Sequence, residues 1–514
     1  MSQSRYDAIV IGGGHNGLIA AALAAHAGRR TLLLEAGEEL GGMAGLAPSV
    51  HRLSATVVEA LQLKRRGLAF SASAQRTGLL REGRGPLSLD PNDPGATHRA
   101  IAGESAADAD GWRRLQTRLA RLAAGLAPFL EETPPRLDLA DWGERWKLMK
   151  LGFAVRRMGR DDMRDLLRIL PLPVADLAEE ELETPELQGL LALDAVMGQK
   201  MGARSPNTVF PLVLRHAPGA GAPAGAAALV DGGADALIDA LARAAREEGA
   251  EIRTDAPVAR ILTQDGVAVG VETAGGETIE APVILSSAHP KTTLIDLVGP
   301  RALDADFVRT LRCARGEGMT ARLDLALDGA PEAAAPGERL VHAPSLAHIE
   351  TAFDQAKYGE LPDDPPLEVT LESETRAAAL VQYAPRTLRG TNWAEAREAF
   401  AKRLVDRMDA LIPGLKARVQ SATLTTPEEI EGRFAAPGGH WHHLELGLDQ
   451  VFLLRPAPGW AQYRTPIEGL FLCGAGAHPG GGITGQPGLN GARAALAAAK
   501  AGLRRPASAD GGAQ

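Results

Sequence analysis

The chain has 514 residues, more than one ordinary hydrophobic core serves, so two domains or one elaborated domain are expected. With 45% hydrophobic and 23% charged residues the composition is globular, and with only 4% aromatics the core must be mainly Ala, Leu and Val. The net charge of −9 argues against a general nucleic-acid binder, and two cysteines, Cys313 and Cys473, without a CxxC exclude a disulfide framework and a dithiol redox centre. That cysteine usage suits a reducing compartment. The start, "MSQSRYDAIVIGGG", lacks the basic-then-apolar order of a signal peptide, and no apolar run reaches the roughly 20 residues of a membrane span. A soluble, cytoplasmic protein is the expectation.

The first elements are the most informative. Ala8 to Ile11 is a short apolar run bounded by glycines and reads as a buried strand. Gly12, Gly14 and Gly17 follow as GxGxxG, and "LIAAALAAHAG" is a helix that stops at Gly28. "TLLLE" is a second strand, ending in Glu35. Strand, glycines, helix, strand and acid stand in the order of a dinucleotide fingerprint. Gly12 permits the tight turn, Gly14 admits a pyrophosphate to the backbone, and Gly17 lets helix and strand pack closely. The helix N-terminus offers N–H groups and partial positive charge to the phosphates. Glu35 is placed to bind ribose hydroxyls and would repel a 2′-phosphate, which excludes NADP at this site. Beyond it, Gly41-Gly42 is a second point of close backbone approach, which suits an extended FAD better than NAD.

From Trp112 to Met201 the pattern is mostly amphipathic helix. "DWGERWKLMKLGFAVRRMGR", Asp141 to Arg160, mixes Trp142, Trp146, Met149 and Phe153 with six basic residues. Such a helix can lie on an anionic membrane surface, but a cap helix with one buried face is the favoured reading. "GAGAPAG", Gly219 to Gly225, and the Gly316/Gly318 pair are glycine clusters outside a strand-to-helix turn, so neither is expected to bind phosphate. Gly232-Gly233 precedes another amphipathic helix, and alternating strands follow through "APVILSSA". His289, at the end of that run, reads as structural.

"GGHWHH" holds His440, His442 and His443. No second cluster completes four metal ligands, so no metal is expected. One of the three is a candidate acid or base at a site, with a pKa near working pH. Gly469 to Cys473 reads as a last buried strand. A glycine-rich loop, Gly474 to Gly488, follows, then a helix from about Leu489. Strand, glycine loop and helix again make an anion site.

Four segments carry a family resemblance: "DAIVIGGGHNGLIAAALAAHAG" with "LLLEAGEELGGMA"; "GGADALIDALARAAREEGAEIRTDAPVARIL"; "GHWHHLELGLDQVFLLRPAPGWAQYRTPIEGLFLCGAGAHPGGGITGQPG"; and, more weakly, "ARSPNTVFPLVLRHA". The chain resembles the phytoene-desaturase-like FAD-dependent oxidoreductases of the amine-oxidase superfamily, in the branch of the pyridine nucleotide-disulphide oxidoreductase domain-containing proteins. The resemblance implies an α/β fold. A discontinuous Rossmann-like FAD domain (1–69, 225–299, 435–505) would carry an inserted mixed α+β substrate domain (70–224, 300–434) and a disordered tail (506–514). It implies non-covalent FAD held by Gly12, Gly14, His15, Asn16, Gly17, Glu35, Ala36, Gly41, Gly42 and Met43. A backbone contact from Val258 to the adenine is implied, with Gly474, Ala475, Gly481, Gly482 and Ile483 at the flavin and the last helix aimed at its pyrimidine edge. Met43 stands where related flavoproteins often have Arg, and the segment after Gly42 is shortened. The implied activity is hydride transfer to flavin N5 from a small hydrophobic, unsaturated or isoprenoid-like substrate, as a dehydrogenase, desaturase or isomerase. An amine oxidase and a flavin-stabilised scaffold with little turnover are the alternatives. The oligomeric state is left open.

Overall fold

The computed structural model describes residues 4–136, 141–222 and 228–503. The expected tail, 506–514, lies outside the described residues, as does the end of "GAGAPAG". The run AIVI forms strand β1 (Ala8–Ile11), with every side chain buried. Helix α1 (His15–His26) follows the glycines, and β2 (Thr31–Leu34) returns parallel to β1 with Ile9 opposite Leu32. Helix α2 (Gly233–Glu247) has an apolar stripe that buries Leu237, Ile238 and Leu241. It leads into β3 (Glu251–Arg253), and β4 (Ile284–Ser286) comes after an antiparallel excursion. The chain then leaves and comes back as β5 (Leu470–Leu472) and α3 (Gln486–Ala501).

These strands make one parallel sheet in the order β5-β4-β1-β2-β3, drawn from three separate stretches of sequence. Parallel strands covered on both faces need continuous apolar runs, which β1, β2, β4 and β5 supply. On one face α1, α2 and α3 pack through Leu18, Ile19, Leu237, Leu241, Leu489 and Ala492. On the other, Ile9, Leu32, Ile284 and Leu470 meet Ile261, Val271 and Ile279 of the antiparallel strands Val258–Gln264, Val267–Thr273 and Thr278–Glu280. Each such fully buried Leu or Ile contributes about 1.5–3 kcal/mol. The carboxyl ends of the parallel strands are left facing a crevice, where such sheets take ligands.

The second half of the molecule is a seven-stranded mixed sheet. Its order is 419–425, 320–327, 376–382, 367–373, 339–342, 77–81, 84–89. The helix Trp393–Leu411 covers one face with Trp393, Phe400, Leu404 and Met408. The helices between Ala106 and Arg215 cover the other.

The helix Trp142–Arg157 departs from the favoured reading. Four of its large apolar side chains are not on a buried face: Trp142, Trp146, Met149 and Phe153 are 69%, 55%, 57% and 65% exposed. Met158, just past its end, fits against Gly125 of the long helix Ala106–Glu131, where a Cβ would lie 2.2 Å from the Met158 Cε. Helix α3 begins three residues before the expected Leu489, with Pro487 in its first turn, where the missing N–H costs nothing.

Candidate functional site

The two distant glycine clusters meet at Ser287, one residue beyond β4. The Ser287 hydroxyl donates to the Ile11 carbonyl at 3.0 Å and the Gly12 carbonyl at 3.1 Å. A Cβ at Gly12 would lie 2.5 Å from that hydroxyl, and Gly12 has φ +94°. A Cβ at Gly474 would lie 2.1 Å from the Ser287 carbonyl oxygen. The helices behind the loops are joined as well, since the Gly488 N–H donates to the Asn16 Oδ1 at 3.2 Å.

In front of the loops lies a cavity of about 540 Å³. Of the residues expected to hold the cofactor, Gly12, Gly14, His15, Asn16, Glu35 and Ala36 line it. So do Gly41, Gly42, Met43 and Val258, together with Ala475, Gly481, Gly482 and Ile483 from the far end of the chain. Gly17 and Gly474 do not. Gly17 is needed for packing, because a Cβ there would lie 1.9 Å from the Gly12 carbonyl oxygen. Cys473 is also off the cavity, beneath α3 at Gly491.

The residues present fit FAD. A Cβ at Gly14 would meet only the Gly41 carbonyl oxygen, at 3.6 Å, so this glycine is open on the cavity side. No side chain among the described residues caps the start of α1, which leaves its N-terminus to an anion. The Glu35 carboxylate accepts from the Gly13 N–H at 2.5 Å and the Gly37 N–H at 2.8 Å, and it still borders the cavity. It therefore ties the phosphate loop to the end of β2 where a ribose would lie.

The C-terminal loop differs from the expectation in one respect. The cavity meets it at Ala475 and Gly481–Ile483, not at the first turn of α3. The first N–H groups of α3 are engaged by protein: Gln486 N–H by the Thr484 hydroxyl at 3.3 Å, and Gly488 N–H by Asn16.

The three candidate histidines separate. His442 and His443 border the cavity, whereas His440 lies buried behind them and accepts from the His442 N–H at 3.1 Å. Burial pushes His442 down to about 3, helped by the Arg455 and Arg52 charges, and holds His440 and His443 well below the ordinary imidazole value. The expectation of a pKa near working pH is thus corrected: these imidazoles are neutral at pH 7 because desolvation and nearby cations oppose protonation. Nor do they form a ligand set. Among the described residues, the group with metal-like spacing is His342, His348 and Asp364, and there Arg407 already holds the carboxylate at 2.8 and 3.1 Å. His289 spends both ring nitrogens on backbone, Nε2 on the His443 carbonyl at 2.8 Å and Nδ1 on the Lys291 N–H at 3.0 Å.

Two residues that sequence reasoning missed shape the site. Arg455 is fully buried and donates to five carbonyls, those of Ala475, His442, Leu444, Glu445 and Gln450, at 2.7–3.2 Å. It ties the histidine segment to the glycine loop, and burial lowers it to about 9. In the sequence it is only an Arg set between "VFLL" and "PAPG". Arg52 is the second. It borders the cavity beside Gly482, whose Cβ would lie 2.7 Å from the Arg52 Nη1. The other glycine clusters prove to be packing points: a Cβ at Gly219 would lie 2.7 Å from the His51 carbonyl oxygen, and one at Gly316 2.5 Å from that of His443.

Comparison with known proteins agrees with this geometry. The family model for FAD dependent oxidoreductases matches residues 7–67, and that for flavin containing amine oxidoreductases matches 100–310. The chain is 30% identical to pyridine nucleotide-disulfide oxidoreductase domain-containing protein 2 of Rattus norvegicus, over 95% of this chain and 92% of that protein. It is 25% identical to one of the subunits of limonene dehydrogenase from Castellaniella defragrans, over 95% and 94%. The structure of cyclohexylamine oxidase from Brevibacterium oxydans superposes with a TM-score of 0.55 at 17% identity, over 96% and 99%, and shares the fold.

Proposed function

Since this chain belongs to the family of pyridine nucleotide-disulfide oxidoreductase domain-containing protein 2, among the FAD-dependent oxidoreductases of the amine-oxidase superfamily, we propose that it takes hydride from a hydrophobic, unsaturated, isoprenoid-like substrate, as a dehydrogenase or desaturase. Bound FAD supplies the hydride-accepting centre. The observation that carries the reading is the lining of the cavity away from the glycine loops. Met197, Pro211, Leu214, Leu380 and Leu446 border it, so an apolar body is desolvated there. Limonene, the compound in the name of one relative, is of this class.

The protein's own part is placement and exclusion of water. Arg455 fixes the segment that carries His442 and His443, and Glu35 fixes the phosphate loop. The neutral imidazoles of His442 and His443 present polar edges without introducing a charge. An amine substrate fits less well. Among the described residues, Phe434 and Trp441 are the only phenyl or indole side chains on the cavity, and Arg52 places a positive charge there, which disfavours an ammonium.

The test is anaerobic mixing of the FAD-loaded protein with limonene, geraniol and cyclohexylamine, followed as bleaching of the flavin band. Bleaching by an unsaturated isoprenoid, with none by the amine or by NADH and NADPH, is expected. Bleaching by the amine alone makes it an amine oxidase. No bleaching by any compound in the panel favours a scaffold.

The exposed face of the helix Trp142–Arg157 fits the surface of an anionic bilayer as the source of such a substrate. Four large apolar side chains stand out among Arg145, Lys147, Lys150, Arg156 and Arg157. No helix among the described residues is long and apolar enough to cross a membrane. Co-sedimentation with phosphatidylglycerol vesicles but not phosphatidylcholine vesicles, lost in Trp146→Ser/Phe153→Ser, is expected. Equal recovery with both lipids, or an unaffected double variant, contradicts it.

A further inference from the structure

The wall of the cavity contains an unbalanced charge. Arg339 donates to Glu368 at 2.8 Å and is paired with Asp194. Arg215 lies 3.2 Å from Asp194 and 3.6 Å from Glu368. Two guanidiniums and two carboxylates thus neutralise one another. Arg52 stands next to this group and has no such partner. No hydrogen bond or ion pair joins its side chain to any described residue, and its Nε is sealed from solvent without an acceptor. The charged neighbour that acts on it most is Arg215, which repels it. The adjoining imidazole of His51 is likewise without a partner at Nδ1.

A cation enclosed without an anion is costly, and folded proteins pair such groups or present them to a ligand. Arg52 opens on the cavity, so the partner is an occupant of the cavity. Its planar fork matches a carboxylate through two parallel N–H···O bonds. We propose that Arg52 binds the carboxylate of the substrate, which makes the substrate an unsaturated acid whose apolar body lies along Met197, Leu214 and Leu446. The assignment of an isoprenoid-like body rests on the function proposed above, whereas the assignment of an anionic end rests on Arg52 alone. The glycines expected to meet the phosphates of FAD, Gly12, Gly14, Gly41 and Gly42, belong to other segments of the lining. Arg52 faces the wall built from Asp194, Arg215 and Glu368 of the substrate-side elements.

The test titrates FAD-loaded protein with geranate and with geraniol at neutral pH, reading the perturbation of the flavin spectrum. Geranate should bind at least about tenfold more tightly than geraniol, as a charge-assisted pair requires. In Arg52→Gln, geranate should weaken by at least about tenfold with geraniol unchanged, and Arg52→Lys should keep part of the preference. Flavin content and reduction potential should stay at wild-type values in both. Equal binding of geranate and geraniol to wild type overturns the proposal without any variant. So does an Arg52→Gln protein that loses FAD or shifts its potential while keeping the geranate preference, because Arg52 then serves the cofactor. If geranate binds as expected but no unsaturated compound bleaches the flavin, Arg52 keeps its role and the dehydrogenase reading falls.

Discussion

The glycine loops at Gly12–Gly17 and Gly474–Gly488 press on opposite sides of Ser287, yet their glycines face different things. In the N-terminal loop, Gly14 looks onto the cavity, with only the Gly41 carbonyl at 3.6 Å. In the C-terminal loop, the space a side chain would need is already filled by protein. Gly474 meets the Ser287 backbone at 2.1 Å, Gly481 meets His442 at 2.1 Å, and Gly488 meets the Asn16 backbone at 2.4 Å. Gly14 is therefore a glycine that admits a ligand, whereas the C-terminal loop, like Gly12 and Gly17, is glycine-rich mainly to let parts of the chain close up. Gly474 and Gly488 are costlier to replace than Gly14, because their neighbours are rigid backbone.

The largest effect should come from the braced loop. Gly474→Val drives a side chain into the Ser287 carbonyl, and a loss of about 3 kcal/mol, the upper part of the range for overpacking, is expected, read by urea denaturation with and without FAD. Gly14→Val should leave the FAD-free fold as stable as FAD-free wild type, because its backbone, at φ −67° and ψ 170°, is ordinary for any residue. It should still lose FAD, by more than about 100-fold in affinity, because the pyrophosphate path is filled. A Gly14→Val protein that melts early without FAD removes the distinction between the loops. Glu35→Ala should cost less than either. It frees the Gly13 and Gly37 N–H groups and removes the ribose contact, which should cost FAD binding about 1.5–3 kcal/mol.

Acid should cost less per group and touch both regions. Burial lowers His15 to about 4 and His51, His289, His442 and His478 to about 3. The unfolded chain therefore takes up their protons first, as pH falls through about 6.5. Their stabilisation is complete above that pH and is lost below it, at about 1 kcal/mol per histidine between about pH 7 and 5.5. Denaturation of wild type, His442→Gln and His478→Gln at the two values checks this. Each variant should lose one histidine's share of the pH dependence, and an unchanged slope in both contradicts it.

How much of this was legible follows from the range of the interactions. The unit β1-α1-β2, its glycines and Glu35 lie within 35 residues, and local periodicity and turn chemistry specify them. The last strand, loop and helix were legible for the same reason. What the sequence hid were single residues with distant partners. Ser287 works on Gly12 and Gly474. Arg455 gathers carbonyls from two segments, and nothing in "LLRPAP" announces a buried guanidinium. Arg52 is one basic residue in a loop until the wall from Asp194 to Glu368 is seen beside it. The helix Trp142–Arg157 misled because its mixed apolar and basic composition suits burial or a surface equally, and which one holds depends on whether another element covers it.

The division of labour between the loops is tested most directly by titrating FAD-stripped protein with ADP, which reproduces the half of the cofactor expected at Gly12–Gly17. ADP should bind wild type in competition with FAD, should bind Gly482→Leu as well as it binds wild type, and should fail to bind Gly14→Val. ADP bound by Gly14→Val with wild-type affinity would show that the N-terminal loop does not hold the phosphates and would contradict the account.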